Sequence, residues 1–187
     1  MKKINLDSEI GQKDIANQQK LSLGLLFKSG KQKEQNEKAM NQIKINQKLK
    51  NIEFYLGTYS LDDLIDLNIK FSNSFLILNL NSLSNSNWIA IAIYPDSIFI
   101  CDCNGSLDSD KLSKNIINFL HIISFNKTLH VTKKLLNLKS QFSGELCTLF
   151  TQIMSDTDSF SFFLSNFSNN LDINECMLCL LYNSYFE

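Results

Sequence analysis

Trp88-Ile89-Ala90-Ile91-Ala92-Ile93-Tyr94-Pro95-Asp96-Ser97-Ile98-Phe99-Ile100-Cys101-Asp102 is the stretch that decides the fold class. Two runs rich in β-branched and aromatic residues flank Pro95-Asp96, a turn dipeptide, so the segment predicts a β-hairpin. Upstream, Phe75-Leu76-Ile77-Leu78-Asn79-Leu80 reads as another buried strand, set off by the polar stretch Asn81–Asn87. Downstream, residues 108–125 carry Leu112, Ile116, Phe119, Leu120 and Ile123 at helical spacing, with Asp108 or Ser109 as the cap. Thr128–Val131 and Leu135–Leu138 are short strand candidates. Ser143–Met154 is apolar at Leu146, Leu149, Phe150 and Ile153, again at helical spacing, with Cys147 in the first turn. Phe160–Phe167 and Asn174–Tyr185 read as a C-terminal helical region. Strands followed by helices make a mixed α+β domain of about 135 residues, long enough to bury a core.

Outside that domain the texture changes. The chain has 187 residues and a formal net charge of −1, but the balance is split. Residues 1–50 hold 11 Lys against 5 acids, and residues 51–187 hold 7 Lys against 14 acids. The boundary divides a basic arm rich in Lys, Gln and Asn (1–50) from a folded domain (51–187). The arm has an apolar island at Leu21–Phe27. Its stretch before residue 51 can form a helix, with Met40, Ile43, Ile45 and Leu49 as a thin apolar stripe, so the arm is expected to be partly helical or disordered.

All 18 basic residues are Lys, so bidentate Arg grips on phosphate or carboxylate are excluded. Lys, Asn and Ile standing in place of Arg, Ala and Pro is what AT-rich coding produces, and the 22 Asn therefore carry no functional weight. No apolar run reaches the roughly 18–20 residues of a membrane span, and the first residues lack a signal-peptide hydrophobic region. An intracellular protein without membrane association is expected. Five cysteines in such a chain predict reduced thiols rather than a disulfide framework. Cys101-x-Cys103 and Cys176-x-x-Cys179 have the look of zinc ligands, but both lie in apolar runs where free Cys serves as a small core residue. No metal and no cofactor are expected.

Three features carry chemistry. Asn87-Trp88 opens a strand, Asp102 ends the next strand shortly before Gly105, and Gln141 precedes Cys147 by six positions. A thiol at a helix N-terminus meets the positive end of the helix dipole and becomes a better nucleophile. An upstream Gln amide can stabilise an oxyanion during acyl transfer, and an acid at a strand end commonly orients an imidazole. The imidazole is what is missing.

These residues resemble the adenovirus-type maturation proteases (adenain-like), relatives of the Ulp1-type deubiquitinating and deSUMOylating enzymes. Phe54-Tyr55-Leu56-Gly57-Thr58-Tyr59 resembles the opening Tyr-Phe-Leu-Gly-Thr element of that family. Trp88–Ala92 through Phe99–Gly105 resembles its His-Trp and Asp hairpin, and Ser140–Phe150 resembles its nucleophile segment. The resemblance covers residues 54–150 in order. It implies a papain/Ulp1-like cysteine peptidase fold, with a central mixed β-sheet flanked by helices. Cys147 would be the nucleophile, Asp102 the triad acid and Gln141 the oxyanion donor. Trp88 would stand beside the imidazole, and Gly105 would support the turn after Asp102. Because the family's His falls on Asn87, the resemblance implies convergence of Asn87, Asp102 and Cys147 at one cleft.

The departures set the expected function. Asn cannot shuttle a proton at physiological pH, and loss of a general acid–base is worth about 10²–10⁴-fold in rate. His121 and His130 both follow Asp102 in the chain, an order that offers no ready substitute. Thr148 replaces the Gly after the nucleophile. The Gln position has two alignments, one at Gln141 and one falling on Lys139-Ser140. The family's activating peptide is tethered to a Cys between the acid and the nucleophile, and no Cys lies between Cys103 and Cys147.

The expectation is a viral or virus-like-element maturation-protease homologue, catalytically impaired and acting as a structural or binding derivative in the virion or the infected cell's nucleus or cytoplasm. Its partners would be capsid or precursor polypeptides, with DNA held electrostatically by the arm. The alternatives are an active cysteine endopeptidase processing virion precursors and an unrelated α+β interaction module.

Overall fold

The computed structural model describes residues 41–67, 69, 73–80, 87–108, 113–138 and 140–187. All of them fall within one compact unit, Ala39–Glu187. It is an α+β arrangement in which five strands form one mixed sheet in the order β1-β2-β3-β4-β5. These are β1 (Tyr55–Ser60), β2 (Ser74–Asn79), β3 (Trp88–Ile93), β4 (Ser97–Asp102) and β5 (Thr128–Val131). The inner pairs β2/β3 and β3/β4 are antiparallel, while β1/β2 and β4/β5 are parallel. The expected hairpin is present: Tyr94 N–H donates to Ser97 O at 2.8 Å across Pro95-Asp96, and Ile93 pairs with Ile98.

Both faces of the sheet are covered, which explains why all six residues of β3 are buried although they alternate in direction. Trp88, Ala90 and Ala92 face one layer and Ile89, Ile91 and Ile93 the other. The first layer holds α1 (Gln42–Leu49), α3 (Ser143–Thr157), α4 (Phe160–Ser165) and α5 (Leu171–Phe186). Ala90 and Ala92 present only methyl groups there, so α3 packs close to the middle of the sheet through Leu146, Leu149, Phe150 and Ile153. Across the sheet, α2 (Lys114–Ile123) and the 3₁₀ turn Asp63–Asp66 bury Ile116, Phe119, Ile123 and Leu64 against Ile89, Ile91, Ile98 and Ile100.

Four expectations change. The boundary between arm and domain does not fall at residue 50, because α1 belongs to the core: Ile45 and Leu49 have 0% exposure beneath α3 and the sheet. Helix α2 starts at Lys114, capped by Ser113 Oγ accepting from Asn115 N–H, and not at Asp108, which ends a 3₁₀ turn. Ser109 and Leu112 lie outside the described residues, as do the island at Leu21–Phe27 and Met40. Leu135–Leu138 is not a strand. Leu135 N–H and Leu136 N–H both donate to Cys103 O, at 3.0 and 2.9 Å, and two consecutive donors aimed at one acceptor is a turn geometry that breaks strand alternation. Finally, α3 begins at Ser143, so Cys147 is its fifth residue, past the N–H groups its start leaves free, since Leu146 N–H already donates to Phe142 O.

Among the described residues, no helix is long and apolar enough to cross a membrane.

Candidate functional site

Strand β4 ends at Asp102, paired with Ile89 of β3, and the chain then turns through Cys103-Asn104-Gly105. Gly105 has φ +70°, a left-handed conformation that glycine adopts without strain, and its N–H donates to Asp102 O at 3.3 Å. This turn brings the next backbone N–H groups back onto the Asp102 carboxylate. Ser106 N–H donates to Oδ1 at 2.8 Å and Leu107 N–H to Oδ2 at 2.6 Å. With 2% exposure, Asp102 is thus a buried carboxylate satisfied as the cap of the 3₁₀ turn Ser106–Asp108. On its backbone side, Asp102 N–H donates to Thr132 Oγ1 at 3.0 Å.

Asn87, at the position where the resemblance calls for His, is half-buried just before β3. Its Oδ1 accepts from Ser106 Oγ at 2.9 Å. Ser106 therefore bridges Asn87 and Asp102, donating its hydroxyl to one and its backbone N–H to the other. Trp88 is buried in the layer under α3, at 2% exposure.

Cys147 lies in different surroundings. Its thiol is fully buried and stands 3.5 Å from Cys103 Sγ, which in turn lies 3.9 Å from Cys101 Sγ. Cys101, in β4, and Cys103, in the turn after it, both face α3, while Asp102 between them pairs with Ile89 and takes the opposite face. Cys103 Sγ is also 3.6 Å from Ser143 O, to which it donates when protonated. Burial pushes the Cys147 and Cys101 thiols well above the usual range. Burial acts the same way on Cys103, but hydrogen bonds from Cys101 and Cys147 outweigh it and draw Cys103 down to about 6.

The other site candidates are dispersed. Gln141 is exposed, two residues ahead of α3, while the sulfur it was expected to serve is enclosed. Lys139 lies outside the described residues, and Ser140 is buried with its Oγ accepting from Phe142 N–H. Thr148 is buried and its Oγ1 donates to Gly144 O at 2.7 Å, a bond along its own helix. The His130 ring stacks on Phe99 with centroids 4.8 Å apart and also meets Phe160. His121 is exposed on α2, where it lines a surface cavity of about 440 Å³ with Ile122, Phe125 and Lys127. Cys176 is half-buried and Cys179 exposed on α5, away from the apolar setting of the first cysteine pair.

Sequence reading missed Ser106 and took Cys103 only as a small core residue. The first had no signal beyond following Gly105. The second did: the i, i+2 spacing of Cys101 and Cys103 in a strand places both on one face, toward whatever helix covers it.

Chemically, the arrangement offers two separate units. Asn87, Ser106 and Asp102 form a polar bridge, and Cys101, Cys103 and Cys147 form a buried sulfur cluster. No model of a known protein family matches the chain, and no curated protein matches it either.

Proposed function

We propose that the chain is a non-hydrolytic relative of the adenovirus-type cysteine endopeptidases, with a papain/Ulp1-like fold, that binds virion polypeptides, capsid or precursor, without cleaving them. The observation that carries the non-hydrolytic part is the position of the Cys147 sulfur, fully buried and 3.5 Å from another thiol, with burial holding it protonated. A cysteine peptidase needs a thiolate that an incoming carbonyl can reach, together with a base within hydrogen-bonding distance. Asn87 supplies no base, and its carbonyl oxygen is engaged by Ser106. What supports kinship is that the Trp88 strand and the Asp102 strand pair as neighbours and the Cys147 helix packs on the sheet over the Trp88 strand. DNA bound by the basic residues 1–50, in a virion or an infected cell, belongs to the same reading.

A second reading, an unrelated α+β interaction module, is favoured by the alternation that turns Asp102 away from the face bearing Cys147. The non-hydrolytic reading is tested by incubating the full chain and its Asn87→His variant with a peptide vinyl sulfone and a fluorogenic peptide library. The proposal expects no labelling of Cys147 and no cleavage by either protein, because an added imidazole leaves the Cys147 sulfur enclosed. Labelling of Cys147 that Cys147→Ala abolishes, or cleavage by either protein, would overturn the non-hydrolytic reading.

A further inference from the structure

The sulfur cluster stands out because the peptidase-like chemistry has no use for it. Three thiols with 0% exposure come from the end of β4, the following turn and the second turn of α3, and they share one small volume. We propose that Cys103 and Cys147 form a reversible disulfide pair that a small hydroperoxide closes. The inference rests on the sulfur geometry and stands whether or not the chain is related to the peptidases.

The pairing follows from distance and backbone. Cys103 and Cys147 Sγ are 3.5 Å apart, lie 44 positions apart in the chain and sit on separate elements, so a bond of about 2 Å needs only a small side-chain shift. Cys101 and Cys103 Sγ stand farther apart, at 3.9 Å, with one residue between them across the end of β4. Cys103 therefore bonds across to α3. It is also the middle sulfur of the three, within 3.5 and 3.9 Å of two thiols that can donate to it when it is charged.

The chemistry balances as a two-electron oxidation. The Cys103 thiolate attacks one oxygen of hydrogen peroxide, the O–O bond breaks, and the departing hydroxide takes the proton Cys103 gave up, leaving as water. The product is a sulfenic acid at Cys103. The Cys147 sulfur attacks that sulfur, the S–O bond breaks, and the hydroxyl leaves with the Cys147 proton as a second water. Two thiols are oxidised to one disulfide and one peroxide is reduced to two waters. A dithiol reductant reverses the change by exchange.

Access to a fully buried cluster requires the turn after β4 to open. Asn104, in that turn, is 5% exposed and its Oδ1 has no hydrogen-bond partner among the described residues. An unsatisfied buried acceptor destabilises the closed turn relative to an opened one. A small oxidant passes such an opening more readily than a bulky maleimide.

The test treats the full chain with hydrogen peroxide, alkylates it in denaturant and maps it after trypsin and a Glu-specific protease, which separate Cys147 from Cys176 and Cys179. The expected result is a fall in free thiols from five to three, a Cys103–Cys147 linked fragment pair, and recovery of five thiols on adding dithiothreitol. Cys101→Ser retains the link and Cys103→Ser loses it, with circular dichroism reporting whether each variant folds. Should Cys103→Ser fail to fold, the map of the unaltered chain and of Cys101→Ser still decides. Complete alkylation of Cys103 and Cys147 after peroxide overturns the proposal, as does a Cys101–Cys103 or a Cys101–Cys147 link.

Discussion

Asn87 Oδ1 accepts a hydrogen bond of 2.9 Å from Ser106 Oγ, so the residue in the expected imidazole position is tied to the turn that caps on Asp102. Removing the hydroxyl breaks that tie and leaves a half-buried amide oxygen to find another donor. Ser106→Ala should cost about 1 kcal/mol, the net worth of a typical intramolecular hydrogen bond. A double-mutant cycle with Asn87→Ala isolates the pair, with an expected coupling of about 0.5–1 kcal/mol from urea denaturation midpoints. Strict additivity of the two substitutions would show that the bridge contributes nothing.

Asp102 supports the turn through two bonds at once, one oxygen to Ser106 N–H and the other to Leu107 N–H. An amide keeps only one of those acceptors and turns an NH₂ group toward the other donor. Asp102→Asn is therefore expected to destabilise the chain by roughly 2–3 kcal/mol, in the range for hydrogen bonds to a charged group. Hydrogen exchange at Ser106 and Leu107 should accelerate together. If stability and exchange were both unchanged, the carboxylate would not be a cap.

How much of this was legible in the sequence depends on the range of the interaction. The β3/β4 hairpin was readable because its turn and both strands lie within fifteen consecutive residues. The helix around Cys147 was readable from the spacing of Leu146, Leu149, Phe150 and Ile153. Strand β1 was quoted only for its resemblance, since Tyr55–Ser60 has no alternation of its own and is shaped by parallel pairing with β2, with a register shift between Tyr55 and Gly57. The false strand at Leu135–Leu138 was apolar because Leu135 and Leu136 are both buried at a turn fastened to Cys103 O. The site candidates were an ordered list, and order along a chain does not say which face of a sheet each side chain takes. Only the residue spacing around Cys101, Asp102 and Cys103 held that information.

Helix α1 shows how a thin apolar stripe can still be core. Its mean character is polar, yet Ile45 and Leu49 are fully buried while Ile43 is 68% exposed. Leu49→Ala should cost about 2–5 kcal/mol, as expected for truncating a buried aliphatic side chain. Ile43→Ala should fall within about 0.5 kcal/mol of the unaltered chain. Chemical denaturation of the two variants compares them directly, and equal effects would return α1 to the arm.

Glu145, in the first turn of α3, gives the domain a pH dependence whose sign can be worked out. Burial raises its pKa above the ordinary value of 4.5, with nearby Lys44 opposing, and its Oε2 is buried without a hydrogen-bond partner. The folded chain therefore holds this proton more tightly than the unfolded chain. Between 4.5 and the raised folded value the folded state carries more protons, so stability falls as pH rises through that window, and above it the full penalty applies. Glu145→Gln keeps the shape and removes the charge. At neutral pH the variant should melt at a higher temperature than the native chain. Below pH 4.5, where both states of the native residue are protonated, the gain should disappear. Thermal melts of both proteins across that range check the sign, and a gain that grew toward acid would show that the Lys44 attraction outweighs burial.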